Sequence, residues 1–318
     1  MFFRNALVAA GLLASLTVAA PAPLEKRANG NKLTIYWGAE DDSTTLANVC
    51  ADSSYDIVNL AFLSYFFADG GYPRLSLSTL DGPSQAQRKA GATALQDGTP
   101  LVSAIKTCQA NGKLVILSMG GAVDYANVDL ANDSQGQQIA DTIWNLFLGG
   151  TQHPELRPFG SVKLDGVDLD NESGNPTGYL AMVKRFRSNF AADTSKKYYL
   201  TAAPQCPYPD ASEPLNVCQL LDYVWVQFYN NGDCNINQRN FISSVKTWSK
   251  GIGNAKLFIG AVASAADGDQ GYVNSTTLVN NIKQVEALNL PNFGGAMLWE
   301  AQLAVKNGNY QRAIKAAL

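Results

Sequence analysis

The chain has 318 residues, 46% of them hydrophobic and 16% charged, with a net charge of −3, enough for one barrel-sized domain or two ordinary ones. A mildly acidic balance without a basic run makes it a poor partner for nucleic acid or an anionic membrane surface. Five cysteines with no CxxC pair and a single histidine, His153 beside Pro154, leave little for a zinc site or a serine–histidine triad. No metal and no cofactor are therefore expected, and His153 reads as a surface residue.

The N-terminus has the pattern of a secretory signal over residues 1–20: Arg4, an apolar run from Ala6 to Val18, and the small residues Val18-Ala19-Ala20. Leu24-Glu25-Lys26-Arg27 reads as the end of a short pro-segment, 21–27, closing at a dibasic processing site. The remaining 28–318 would carry 21 basic and 26 acidic residues, a net charge of −5. It holds no run of 18 apolar residues and no hydrophobic anchor tail, so the expected product is soluble and secreted, with cell-wall association left open. Outside the cell, Cys50, Cys108, Cys206, Cys218 and Cys234 suggest two disulfides and one odd thiol.

Eight β-rich runs follow. They are Lys32–Trp37, Asp56–Leu63, Lys113–Ser118 leading into Met119-Gly120-Gly121, an acidic run at 161–173, Lys197–Ala203, Tyr223–Phe228, Lys256–Ala261 and Gly294–Trp299. Helical period appears between them at 100–111 (Leu101, Ile105, Cys108) and 134–148 (Ile139, Ile143, Phe147, with Ser134 as N-cap). It recurs at 177–190 (Leu180, Val183, Phe186, Phe190), 275–288 and 301–317. The first and fifth crossovers are less regular, and 210–221 is interrupted by proline. The stretch 68–98 is polar and Gly-rich, an excursion after the second strand. Apolar strands alternating with amphipathic helices imply a parallel sheet. Eight units in about 290 residues fit a single (β/α)8 TIM barrel of class α/β. A doubly wound open sheet is the alternative, but no Gly-rich phosphate fingerprint follows the first strand.

The acidic run carries the chemistry. Asp165, Asp168, Asp170 and Glu172 fall within eight residues. A strand repeats every two residues, so Asp168, Asp170 and Glu172 share one face while Val167, Leu169 and Asn171 share the other. Stacked like charges favour keeping a proton near neutral pH. A solvated acidic edge or a calcium loop would look similar. Asp165 breaks the parity and reads as a structural hydrogen-bonding group at the strand start. In a TIM barrel the strand ends form the site. There the chain places Tyr36-Trp37, Gly120-Gly121, Gln205, Gln227-Phe228-Tyr229-Asn230-Asn231 and Trp299-Glu300. Acids, amides and large aromatic faces collected at one rim suit a carbohydrate. Cleaving a glycoside needs a protonated acid, and Glu172 is the donor. Asp170 cannot face it across a sugar, since alternate Cα atoms on a strand are only about 7 Å apart. An N-acetyl sugar removes the difficulty by supplying its acetamide oxygen as nucleophile. Asp170 would then hold the acetamide N–H, with Asp168 sharing a proton with Asp170.

With these residues in place, the chain resembles glycoside hydrolase family 18, in particular the hevamine-like class III chitinases of plants and fungi. The motif DxxDxDxE is complete at Asp165, Asp168, Asp170 and Glu172. Segments at Ile35–Gly38, Asn59–Phe62, Ser118–Gly121, Ala202–Pro207, Trp225–Asn231 and Gly294–Trp299 stand in family order. The resemblance implies a secreted, monomeric endo-chitinase acting on chitin or chitooligosaccharides. Glu172, Asp170, Asp168 and Tyr229 would be catalytic. Tyr36, Phe62, Gly121, Gln227, Asn230, Met297 and Trp299 would bind substrate, Tyr229 holding the acetamide oxygen and Trp299 flooring the −1 sugar. It also implies disulfides Cys50–Cys108 and Cys206–Cys234, with Cys206–Cys218 as the other pairing.

The chain departs from the family after Gly38, where Ala39-Glu40-Asp41-Asp42 replace the usual Gln-Asn. An amide is lost and negative charge is gained, which bears on chain-length preference. That loop alone motivates a non-catalytic chitin-binding lectin. An endo-β-N-acetylglucosaminidase acting on N-glycans is the other enzyme reading. The family pattern apart, Trp299 and Tyr36 would be ordinary core aromatics, as Trp225 and Trp248 are by default. Asn132 and Asn274 head credible glycosylation sequons before helices, whereas Asn171 should face the barrel–helix layer. The Asp41-Asp42 and Asp267-Gly-Asp269 clusters read as solvated loops rather than calcium sites.

Overall fold

A computed structural model describes residues 30–40, 43–122 and 126–318. The expected signal (1–20), pro-segment (21–27) and Asp41-Asp42 lie outside them. Eight strands form the barrel: β1 Lys32–Trp37, β2 Ile57–Tyr65, β3 Leu114–Gly121, β4 Gly166–Asn171, β5 Tyr199–Ala202, β6 Tyr223–Gln227, β7 Lys256–Val262 and β8 Phe293–Trp299. Each pairs in parallel with the next, and β1 pairs with both β2 and β8, closing the sheet. The open-sheet alternative is thereby excluded.

Two apolar layers result from the two-residue alternation of these strands. Outward-facing Ile35, Leu60, Leu117, Val167 and Leu169 pack under the helices. Inward-facing Tyr36, Ile57, Ile116, Trp225, Phe258 and Met297 fill the barrel itself. Of the two tryptophans read as core by default, Trp225 lies inside the barrel and Trp248 in the outer layer.

The helices sit close to their periodic segments: Val102–Ala110 after a 3-10 turn at Thr99–Leu101, Asp133–Phe147, Tyr179–Ala192 and Ser275–Glu286. Three details differ. Asn132, not Ser134, caps the second of these, its side chain accepting the Gln135 N–H at 3.0 Å. The 301–317 segment is two helices, Ala301–Lys306 and Tyr310–Ala317. They part at Gly308 and Asn309, both left-handed (φ 65° and 61°), a conformation that glycine and asparagine reach most readily. A further helix, Phe241–Gly251, was not singled out by period; it buries Phe241, Val245 and Trp248. The fifth crossover carries only the short helix Leu215–Cys218, as its prolines suggest. Within 68–98, Arg74–Leu75 pairs antiparallel with β2, and a short helix, Gln85–Lys89, starts on a Ser84–Gln87 capping box.

Cys50–Cys108 joins helix Leu46–Ala51 to Val102–Ala110, and Cys206–Cys234 joins the loops after β5 and β6. Cys218 is buried and free, its thiol donating to the Glu213 carbonyl at 3.2 Å, so the Cys206–Cys218 alternative is ruled out.

Candidate active site

At β4 the alternation separates chemistry from packing. Val167 and Leu169 enter the outer core, while Asp168 and Asp170 point into the barrel mouth, 0% and 4% exposed. Glu172 follows the strand end and is half-buried. In register beside Asp168 stand Ser118 on β3 and Thr201 on β5. Both hydroxyls donate to Asp168 at 2.7 Å, Ser118 to Oδ2 and Thr201 to Oδ1. The Tyr36 hydroxyl donates to Oδ2 at 2.6 Å and itself accepts the Trp225 indole N–H at 2.9 Å. Burial pushes the Asp168 carboxyl up to about 6, against which these donors pull it down. Three donors favour the ionised form, so Asp168 carries its charge at neutral pH.

Asp170 is in a different position. The Gln227 amide nitrogen donates to its Oδ1 at 3.0 Å. That nitrogen also lies 3.4 Å from Glu172 Oε1 and 2.9 Å from the Ala203 carbonyl. Burial first, then the charges of Glu172, Asp168 and Asp210, hold the Asp170 carboxyl well above its ordinary range. Burial also raises Glu172, opposed by hydrogen bonds from Gln227 and Gln205 and assisted by Asp269 and Asp210. Asp168 takes three hydroxyl donors, while Asp170 and Glu172 share the Gln227 amide nitrogen.

Aromatic residues line the other side. Tyr36, Phe62 and Trp299 form a cluster with centroids 5.5 to 6.1 Å apart, Phe62 and Trp299 stacked at 19°. Met297 is buried inside the barrel beside them. Gly121 takes φ 96°, and a Cβ there would press to 3.0 Å from the Phe62 ring; one on Gly120 would reach 2.1 Å from the Asp170 carbonyl oxygen. Any side chain at 120 would force β3 away from the acid strand. Tyr229 is buried, its hydroxyl pushed well above its usual range by burial and by Asp170 and Glu172, so it stays a neutral donor.

Asn230 is exposed, and both ends of its amide are engaged by the loop after β7: Nδ2 donates to Asp269 at 2.6 Å and Oδ1 accepts from Gln270 N–H at 2.7 Å. Asp165 lies at the far end of β4, accepting from Val115 N–H and Gln109 and pairing with Lys196 at 2.8 Å. Asn171 faces outward and is buried. Asn132 and Asn274 are exposed helix caps, and His153 is an exposed turn residue beside Glu155. Among the described residues no cluster of His, Cys, Asp or Glu could hold a metal ion, and no helix is long and apolar enough to cross a membrane.

Several residues of the site escape a reading by motif. Ser118 and Thr201 could have been found from parity, since both share the inward register of Asp168. Asp210 and Glu213 belong to an irregular loop and have no such signal.

Residues 32–284 match the family model described as glycosyl hydrolases family 18. The chain is 69% identical over 319 residues to endochitinase 3 of Metarhizium robertsii, covering 100% of both. Among solved structures, the ICChI chitinase of Ipomoea carnea superposes with a TM-score of 0.76 at 30% identity, over 90% of this chain and 100% of that one. A xylanase and alpha-amylase inhibitor protein from Scadoxus multiflorus gives the same TM-score at 28% identity, over 90% and 98%.

Proposed function

The chain belongs to the glycosyl hydrolases of family 18, and from that membership we propose an endo-chitinase that cleaves β-1,4 bonds between N-acetylglucosamine units by a retaining, substrate-assisted route. The supporting observation is that one Gln227 nitrogen reaches both Asp170 and Glu172. Two acids so joined lie on the same side of the bond to be broken. Neither can attack the anomeric carbon while the other protonates the leaving oxygen from the opposite face. The nucleophile then comes from the substrate.

Glu172 gives its proton to the glycosidic oxygen as the C1–O bond breaks. The acetamide oxygen of the −1 sugar bonds to C1, forming an oxazolinium ion. Asp170, held beside that acetamide, accepts its N–H and balances the positive charge, while the neutral Tyr229 hydroxyl donates to the acetamide oxygen. Trp299 and Phe62 offer apolar faces for the −1 sugar. Glu172, now a carboxylate, removes a proton from water. The water oxygen bonds to C1, the acetamide is released and the configuration is retained. A neighbour described as an inhibitor shares the barrel, so the activity is argued from the acids and not from the fold. Secretion rests on the signal and dibasic pattern of residues 1–27.

Replacing Glu172→Gln removes the proton donor and should lower kcat on chitopentaose by about 10²–10⁴-fold with the thermal midpoint preserved. A variant within tenfold of the wild-type rate would sink the assignment. Equal turnover of chitopentaose and a high-mannose glycoprotein would instead favour the N-glycan reading.

A further inference from the structure

We propose that Glu213 is a positioning residue for Glu172, holding the end of the acid strand through the peptide N–H of Asn171. This rests on the reading of Glu172 as the acid.

Along the β5-facing edge of β4, Leu169 accepts the Ala203 N–H at 2.8 Å, and the pairing of the two strands ends at Leu169–Ala202. Asn171, two residues on, presents its N–H along the same edge, where no strand carbonyl remains. Glu213 Oε1 takes that place, accepting the N–H at 3.1 Å. The same loop grips the chain on both sides of Glu172. Asn171 Nδ2 donates to the Ser212 carbonyl at 3.4 Å, and the Gly174 N–H donates to Ser212 Oγ at 2.8 Å. Asp210 fixes the loop by accepting the N–H groups of Ser212 and Glu213 at 2.8 and 2.7 Å, and that of Gln205 at 3.1 Å. Gln205 in turn hydrogen-bonds Glu172.

Glu213 is an unusual residue to find there. It is 0% exposed, and among the described residues its Oε2 has no hydrogen-bond partner and it enters no ion pair. Around it stand Asp210 on its own loop, Asp168 and Asp170 on β4, Cys218 on the following helix and Tyr179 on helix Tyr179–Ala192. All are acidic groups. Burial, followed by Asp210, keeps the Glu213 carboxyl well above the usual range, so it works as a neutral acid whose carbonyl-like oxygen accepts the peptide hydrogen. The acceptor, and not a charge, is then what the acid strand requires.

A series at position 213 tests this. Glu213→Gln keeps the acceptor, Glu213→Asp draws it back by one methylene, and Glu213→Leu removes it at similar volume. With chitopentaose, kcat should be wild-type-like for Gln, reduced for Asp and reduced about ten- to hundredfold for Leu, since small misplacements of a catalytic group cost that much. KM and, for Gln, the pH profile should be unchanged. A folded Glu213→Leu protein with wild-type kcat overturns the proposal, as does a Gln variant as slow as the Leu one. If the Leu protein does not fold, the Gln–Asp pair decides: equal kcat values overturn the proposal, and a selective loss in Asp at constant KM supports it. Glu172→Gln measured alongside separates the two readings. If it stays active, the acid assignment fails; if it is dead while Glu213→Leu is not, only the role of Glu213 fails.

Discussion

Tyr36 helps hold Asp168 in its ionised form. Its hydroxyl is the shortest of the three donors to Asp168, and it is oriented from behind by the Trp225 indole. With Asp168 held by hydroxyl donors and the Asp170 and Glu172 carboxyls both raised from their ordinary range by burial, a proton is favoured where Asp170 and Glu172 meet. Replacing Tyr36→Phe removes one donor to Asp168 and the hydroxyl that accepts the Trp225 indole N–H. A hydrogen bond to a charged group contributes about 1.5–3 kcal/mol, which corresponds to about one to two units of pKa. The loss falls on the ionised form, so the Asp168 carboxyl rises further. If activity needs Asp168 ionised, the acidic limb of the kcat–pH profile on chitopentaose moves upward by about one unit or more. An acidic limb that stays in place would show that the charge on Asp168 does not matter to turnover.

At the scale of the element, β4 is a strand built at a cost to stability. Asp168 rises from 3.8 to about 6 on folding because it is buried. A folded-state pKa above the unfolded one means that the folded chain holds the proton more tightly. The associated stability is present below about pH 4 and is lost as pH rises through about 6. Two units correspond to about 3 kcal/mol. Asp170, Glu172 and Glu213 are shifted in the same direction. Urea midpoints measured at pH 4 and pH 7 should therefore carry a fall with rising pH from these acids, set against the opposite shifts of Asp52 and Asp193. In Asp168→Asn the fall should be smaller by an amount of that order; an equal fall in both proteins would remove Asp168 as its source.

The alternation of β4 was legible from the sequence because a two-residue period needs no knowledge of neighbours. It separated Asp168 and Asp170 from Val167 and Leu169 and set Asp165 apart, and the eight-fold repeat of such strands revealed the barrel. What period could not convey is which face meets what. Trp225 alternates like any core strand residue, and only closure of the barrel turns it toward Tyr36. Asp210 and Glu213 sit among prolines, where no period exists; their place depends on a loop folding back over the end of β4. The helix break at 307–309 leaves no trace in the period, since apolar spacing continues across Gly308 while the backbone there turns left-handed.

Over the whole molecule, the two disulfides do different work. Cys50–Cys108 spans 58 residues and ties two outer helices together. Cys206–Cys234 spans 28 residues and ties the loop after β5 to that after β6. The first of these loops carries Gln205, a partner of Glu172, and the second follows Tyr229. Loop-closure entropy gives about 4 kcal/mol for the longer span and about 3.5 kcal/mol for the shorter, with strain and residual unfolded-state structure reducing both. On stability alone the two bridges are nearly interchangeable; on activity they are not. Removing Cys50 and Cys108 together, as Cys50→Ala with Cys108→Ala, should lower the urea midpoint and leave kcat within about twofold, since no group of the site is attached there. Removing Cys206 and Cys234 together should lower the midpoint by a similar amount and also reduce kcat, because Gln205 loses the anchor beside it. Measuring midpoint and kcat on both double variants checks the distinction. Equal kcat losses in the two would mean that general stability, and not the fixed position of the loop after β5, sets the rate.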